Sequence, residues 1–211
     1  MYNPKKFHQE DINKLNGLMV EYPFATLVTH SELEIEAEHI PLYLNQSGDK
    51  PVLQGHIAKA NPLWKNLNDN AQVLVIFNGP NCYISPNHYP SKQDNPRVVP
   101  TWNYVSVQVK GIIRFIHDAQ WKLAMLNNLT VQHEAKQAVP WSITDAPQEY
   151  TQRMLPAIVG FEIKIKSLQG KWKVSQNQSE ENKRGVFVGL SKETESHAQK
   201  IAELVQQSMN G

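Results

Sequence analysis

The sequence predicts a mainly β protein: antiparallel strands with flanking helices. Three observations carry that expectation. First, Val105, Val107 and Val109 alternate with Ser106, Gln108 and Lys110, and Phe161, Ile163 and Ile165 alternate with Glu162, Lys164 and Lys166. A period of two is the signature of a strand with one buried face. Second, shorter β-branched or apolar runs such as Phe24–Thr29 and Val73–Phe77 recur along the first half. Third, most connections between these runs are short, and parallel neighbours would need crossovers of about a dozen residues. Many antiparallel strands in one chain of 211 residues tend to close into a barrel.

In order, Ile12, Leu15, Leu18 and Met19 form a helical stripe. It ends at Tyr22-Pro23, since the residue before proline avoids the helical region. Phe24 to Thr29 reads as a strand, 31–34 as a hairpin connection, Ile35 to Leu44 as a strand, and 45–49 as a turn. Val52 to Ala58 is a further strand. Asn61 is placed to cap a helix with Pro62 at its first position, where the missing N–H costs nothing. Val73 to Phe77 meets a turn at Asn78-Gly79-Pro80, Tyr83-Ile84 is a short strand, and 85–100 is a loop. The alternating strand around Val107 is interrupted at Gly111 and resumes over Ile112–Ile116. Asp118 caps a helix striped by Trp121, Met125, Leu126 and Leu129, and Tyr150, Met154 and Leu155 mark a short one. Ser167 to Gly170 reads as a turn. Ser179 is a candidate cap, and Ala198, Ile201, Ala202, Val205 and Met209 make a last amphipathic helix. The count is six or seven strands and four or five helices. They are expected in one domain over 1–211, with a helical C-terminal extension from about 179 to 211.

Composition excludes several classes. Lys+Arg number 21 against 20 Asp+Glu, a net of +1, without the basic excess of a nucleic-acid module. Lys164, Lys166, Lys171, Lys173, Lys183 and Arg184 are locally basic but diluted by Glu162, Glu180 and Glu181. A single cysteine, Cys82, rules out an internal disulfide and a multi-cysteine metal site, and reads as a packed small hydrophobe. The longest apolar run is Val73–Phe77, far short of the ~20 residues of a membrane span. The start, Met1-Tyr2-Asn3-Pro4-Lys5-Lys6, leads into His8, Gln9, Glu10 and Asp11 rather than an apolar signal region. A soluble cytoplasmic chain is expected.

Catalytic vocabulary is thin: no phosphate-cradling glycine motif, no Gly-x-Ser-x-Gly, no His-Glu-x-x-His, and no histidine pair at helical spacing. No catalytic and no metal residue is expected. Three segments gather polar and aromatic groups at strand ends. Gly55 to Lys65 joins a strand to a helix start, with cations at Lys59 and Lys65 suited to a phosphate. Pro100-Thr101-Trp102-Asn103-Tyr104 offers a stacking plane beside amide donors and acceptors. Gly170 to Asn177 ends in the polar run Ser175-Gln176-Asn177. Each also has a plain structural reading: a capped helix, a buried tryptophan at a barrel rim, turn chemistry.

These same segments resemble the PaiB family of FMN-binding transcriptional regulators. The matching stretches include Pro23 to Thr29, His39-Ile40-Pro41-Leu42, Gly55 to Pro62 with Trp64, Phe77 to Pro80 with Tyr83 to Pro86, Pro100 to Tyr104, Ile158 to Glu162, and Ser175-Gln176-Asn177. The resemblance implies an antiparallel split β-barrel like that of pyridoxamine-phosphate oxidase. It also implies a homodimer with FMN in clefts at the subunit interface, and a role in negative regulation. On that basis Thr26, Leu27, Val28, Thr29, His39 and Pro41 are expected along the isoalloxazine edge, through backbone groups. Lys59, Asn61 and Lys65 would hold the phosphate with His56 beside it, and Trp102 and Asn103 or Ser175, Gln176 and Asn177 would complete the cleft. The chain departs from the family pattern at Lys59, Gln178 and Lys183, where arginine is usual. Lysine lacks arginine's planar fork, so weaker phosphate binding follows. Two alternatives stand beside this reading. One is an FMN-dependent oxidoreductase on the same barrel, with His56 and Tyr104 as the groups to test. The other is a repressor contacting DNA directly.

Overall fold

The computed structural model describes residues 1–31 and 34–209. In chain order these form β1 (His8–Gln9), α1 (Ile12–Glu21), β2 (Phe24–His30), β3 (Ile35–Pro41), β4 (Tyr43–Asn45), β5 (Val52–Ala58), α2 (Leu63–Asn66), β6 (Gln72–Ile84), β7 (Thr101–Ile116), α3 (Ala119–Glu134), α4 (Gln148–Met154), β8 (Ile158–Lys173), α5 (Glu180–Leu190) and α6 (Ser196–Gln207). The strands hydrogen-bond into one sheet in the order β3-β2-β6-β7-β8-β5-β4, with β1 on β8. The pairs β1–β8, β2–β3, β2–β6, β4–β5 and β5–β8 are antiparallel. The chain divides into two compact units: one holds 16–77 and 108–168, the other 1–15, 78–107 and the part from Gln169 onward.

In the unit of 16–77 and 108–168, alternation along the strands sends one set of side chains inward. Leu27, Leu53, Val75, Phe77, Val109, Ile113, Phe161 and Ile163 have no solvent exposure. Each such burial stabilises by about 1.5–3 kcal/mol. Gly55 lets β5 approach this layer, since a Cβ there would lie 2.7 Å from Leu42 Cδ2 and 2.8 Å from Phe161 Cζ. Helix α3 packs on β4 and β5. It starts where Asp118 accepts the Trp121 N–H at 2.7 Å, as its cap position predicts, and it buries Met125 and Leu129.

In the other unit, β1 joins β8 with His8 opposite Lys171 and Gln9 opposite Gly170. Helices α5 and α6 pack on each other and bury Val186, Leu190, Ala198, Ile201 and Val205. Ser179 caps α5 by accepting the Asn182 N–H at 3.3 Å.

Several boundaries differ from the sequence reading. Ser167 to Gly170 is not a turn but the middle of β8. Its glycine is there for close approach, because a Cβ at Gly170 would lie 2.2 Å from Leu15 Cδ2 and 2.9 Å from the Gln9 carbonyl. Asn78-Gly79-Pro80 lies inside β6, where the buried set shifts from odd to even positions between Gly79 and Pro80. That parity change marks one extra residue in the strand, a bulge rather than a turn. Gly111 does not break β7. The strand expected over 35–44 divides at Leu42, whose N–H donates to the Pro23 carbonyl. Ile12 opens α1 but is exposed, so the stripe narrows to Leu15, Leu18 and Met19. The hairpin connection at 31–34 lies partly outside the described residues, although the Ser31 N–H closes on the Glu34 carbonyl at 3.0 Å.

Candidate functional site

The strand-to-helix segment after β5 is built by three fixed points. The Lys59 N–H donates to the Ala157 carbonyl at 2.8 Å. The Trp64 Nε1–H donates to the Lys59 carbonyl at 3.0 Å. Asn61 Oδ1 accepts the Leu63 N–H at 2.9 Å while its Nδ2 donates to Glu38 at 2.7 Å. Asn61 accepts a first-turn N–H as expected, but Pro62 itself takes the cap position rather than the first helical one, and α2 is a single turn of four residues. So short a helix has little dipole to offer an anion, and Asn61 already takes one of its free N–H groups. Any phosphate grip here therefore falls to the side-chain cations. Lys65 lies over the Trp64 ring, 5.2 Å from its centroid. Lys59 is exposed and meets no carboxylate among the described residues.

Lys59 also lines a cavity of about 530 Å³ together with His117, Lys122 and Ile158. Lys122, missed by the sequence reading, is only 5% exposed. Its Nζ donates to the Leu155 carbonyl at 2.6 Å and the Ile158 carbonyl at 3.2 Å. Burial lowers its pKa from the ordinary lysine value, the neighbouring Lys59 lowers it further, and Asp118 opposes both. The sequence signal for Lys122 was weak: one lysine beside an apolar stripe, indistinguishable from a solvated position.

His56 stands opposite Gly160 in the β5–β8 register, so both point to one sheet face. On that face the Trp121 ring comes so close to Gly160 that a Cβ there would lie 2.5 Å away. His56 is therefore directed toward α3, and it does not line the Lys59 cavity. Its Nδ1 is buried without a partner, and burial lowers its pKa from the ordinary histidine value.

The expected backbone role of β2 needs correction. Thr26, Leu27 and Val28 are paired with His39, Glu38 and Ala37 on one side and with Ile76, Val75 and Leu74 on the other. A strand flanked on both sides has its peptide groups spent in the ladders, so these residues have only side chains to offer. Val28 and Thr29 line a different cavity, of about 640 Å³, with Lys110 and Lys166. His39 and Pro41 lie on β3, an edge strand of the sheet order, and Pro41 has no N–H to give.

The remaining five candidates belong to the other unit. Trp102 is exposed, with Tyr83 edge-on at 6.2 Å between ring centroids. Asn103, 1% exposed, donates from Nδ2 to Ser175 Oγ at 2.8 Å, and its Oδ1 is buried without a donor. Ser175 has a φ of 66°, an uncommon conformation for a residue with a side chain. Gln176 is committed locally, accepting the Val174 N–H at 2.7 Å and donating to the Trp172 carbonyl at 2.6 Å. Asn177 is exposed. Beside them Lys173 Nζ donates to the Trp102 carbonyl at 2.6 Å and to Thr101 Oγ1. Its pKa is lowered by burial and then by Lys171. Cys82 is a packed residue, as expected: burial, then Glu193 and Glu195, push its thiol up to about 12.

In the unit of 16–77 and 108–168, Lys59 is a cation at a cavity wall with no ion pair among the described residues. In the other unit, Trp102 is an exposed indole and Asn103 Oδ1 a buried acceptor lacking a donor. Among the described residues no cluster of three or more His, Cys, Asp or Glu could hold a metal.

Known proteins resemble this chain in sequence and in fold. A family model described as "Putative FMN-binding domain" matches residues 1–167. The protease synthase and sporulation protein PAI 2 of Bacillus subtilis is 31% identical over 99% of this chain and 98% of its own length. Among solved structures, the FAD and heme binding protein of Mycobacterium smegmatis superposes with a TM-score of 0.58 at 16% identity, over 79% of this chain and 73% of that one. A flavocytochrome of Azotobacter vinelandii superposes with a TM-score of 0.55 at 14% identity, over 79% and 69%. At such identities the likeness concerns the fold, an antiparallel split β-barrel with flanking helices. FMN is the cofactor that the matched domain assigns. The chain belongs to the PaiB family of FMN-binding-domain proteins.

Proposed function

We propose that the chain is a flavin-binding sensor of the PaiB type and a negative transcriptional regulator. It acts as a cytoplasmic homodimer, each subunit one split-barrel domain with a helical extension from about 179. The observation that carries this reading is the 31% identity to the sporulation protein PAI 2 along 99% of the chain. FMN supplies hydride and electron chemistry when bound. Lys59 and Lys65 attract the phosphate. In the unit of 16–77 and 108–168, the side chains of Thr26, Val28, Thr29 and His39 are the candidates to meet the ring. In the other unit, Trp102 offers a stacking plane and Asn103 Oδ1 an unpartnered acceptor. The charge pattern favours regulation through a partner over contact with a duplex. Helix α5 opens with Glu180 and Glu181, and Lys200 of α6 is paired with Glu203 at 3.5 Å.

The test is the visible spectrum of protein purified without added flavin, followed by FMN titration. A yellow chromophore, or saturable binding, is expected. A colourless protein that does not bind FMN overturns the reading. Oxidation of NAD(P)H by the holoprotein would move it to the oxidoreductase alternative.

A further inference from the structure

We propose that the cavity beside the end of β5 is an oxyanion pocket in which the exposed Lys59 and the buried Lys122 together grip a phosphate group. Lys122 donates only to two backbone carbonyls, those of Leu155 and Ile158. It has no ion pair among the described residues. The nearest acid in sequence, Asp118, is occupied as the cap of α3. An ammonium taken out of water is costly unless a counter-charge meets it. Lys59 is anchored on the same turn, through its N–H to Ala157. It stands close enough to depress the proton affinity of Lys122. His117 makes a third basic wall, with Trp64 edge-on to its ring at 5.3 Å.

The lining contains Lys59, His117 and Lys122 and no aspartate or glutamate. The two lysine ammoniums lining one cavity of about 530 Å³ repel one another unless an anion offsets them. A lysine serving only to tie α3 to the turn at 155–158 would need neither Lys59 nor His117 nor an open cavity. The pocket rests on the flavin reading in one respect, the source of the phosphate: FMN itself or a separate phosphorylated ligand.

The experiment is a calorimetric titration of the full chain at low ionic strength with inorganic phosphate, FMN and riboflavin in separate arms. Backbone amide shifts at Lys59, Ala119 and Ile158 are followed alongside. Inorganic phosphate is expected to bind saturably and to shift those amides. Lys59→Gln and Lys122→Met are each expected to weaken it by about tenfold or more, the worth of one charge-assisted hydrogen bond. Because Lys59 is exposed, Lys59→Gln decides the matter even where Lys122→Met fails to fold. Phosphate that competes with FMN but not riboflavin identifies the flavin phosphate as occupant. Phosphate that binds alongside FMN identifies a separate ligand. Absence of saturable phosphate binding, or binding unchanged in Lys59→Gln, overturns the pocket. Phosphate binding with no FMN binding sinks the flavin reading and leaves the pocket standing.

Discussion

The two units each bury a lysine without a carboxylate, and they solve the problem differently. In one, Lys122 is held by the carbonyls of Leu155 and Ile158. In the other, Lys171 lies over the rings of Tyr104 at 5.3 Å and Tyr2 at 5.8 Å and donates to the Tyr2 carbonyl at 2.9 Å. Aromatic faces satisfy a cation in place, and around Lys171 they help to fasten the chain's first residues to β8. The Met1 amine reaches Gln169 Oε1 at 3.3 Å, and Asn3 Nδ2 reaches the Gly170 carbonyl at 2.8 Å. Lys122 has two carbonyl acceptors and also lines a cavity. One lysine is therefore a fastener, and the other is the one proposed to meet a phosphate.

The sharpest test of that contrast removes each lysine. Lys122→Ala removes the donor to one buried and one part-buried carbonyl and is expected to cost about 2–3 kcal/mol in urea unfolding, the worth of hydrogen bonds to a charged donor. Lys171→Ala is expected to cost less, about 1–2 kcal/mol. Lys171→Arg should recover much of it, since guanidinium also stacks on tyrosine. Equal losses for the two alanine variants would erase the distinction.

Next in size is a pH effect. The folded pKa of Lys122 lies below its unfolded value of about 10.4. Between the two, the unfolded chain binds more protons, so stability rises with pH across that window. The rise should be larger in the wild type than in Lys122→Ala. The smallest effect concerns His56, whose burial likewise lowers its pKa. Its share of stability is complete above the unfolded value of about 6.5 and is lost as pH falls through the folded value. His56→Gln should flatten part of the acid limb of a denaturation profile, and an unchanged limb would show that His56 charges freely.

Much of the fold was legible because it rests on local rules. The period of two around Val107 and Ile163, the caps Asp118 and Ser179, and the short antiparallel connections all came through. The glycines misled. Gly170, Gly111 and Gly79 were read as local punctuation, but contact with residues distant in sequence explains the first two, and a bulge the third. Candidate site residues could be named from sequence only where they sit in compact motifs, as at Lys59 and at Trp102-Asn103. Lys122 becomes visible only when the turn at 155–158 meets α3, a meeting no window of sequence contains. The backbone role given to Thr26–Val28 failed for the same reason, since a strand's second neighbour is a tertiary fact.

The central claim is that this chain binds FMN and uses the phosphate to do so. Quenching of flavin fluorescence on titration with the purified apoprotein tests it most directly, with FMN and riboflavin compared under one condition. Saturable FMN binding with riboflavin weaker by about tenfold or more is predicted. Equal affinities for the two, or no binding of either, would contradict it.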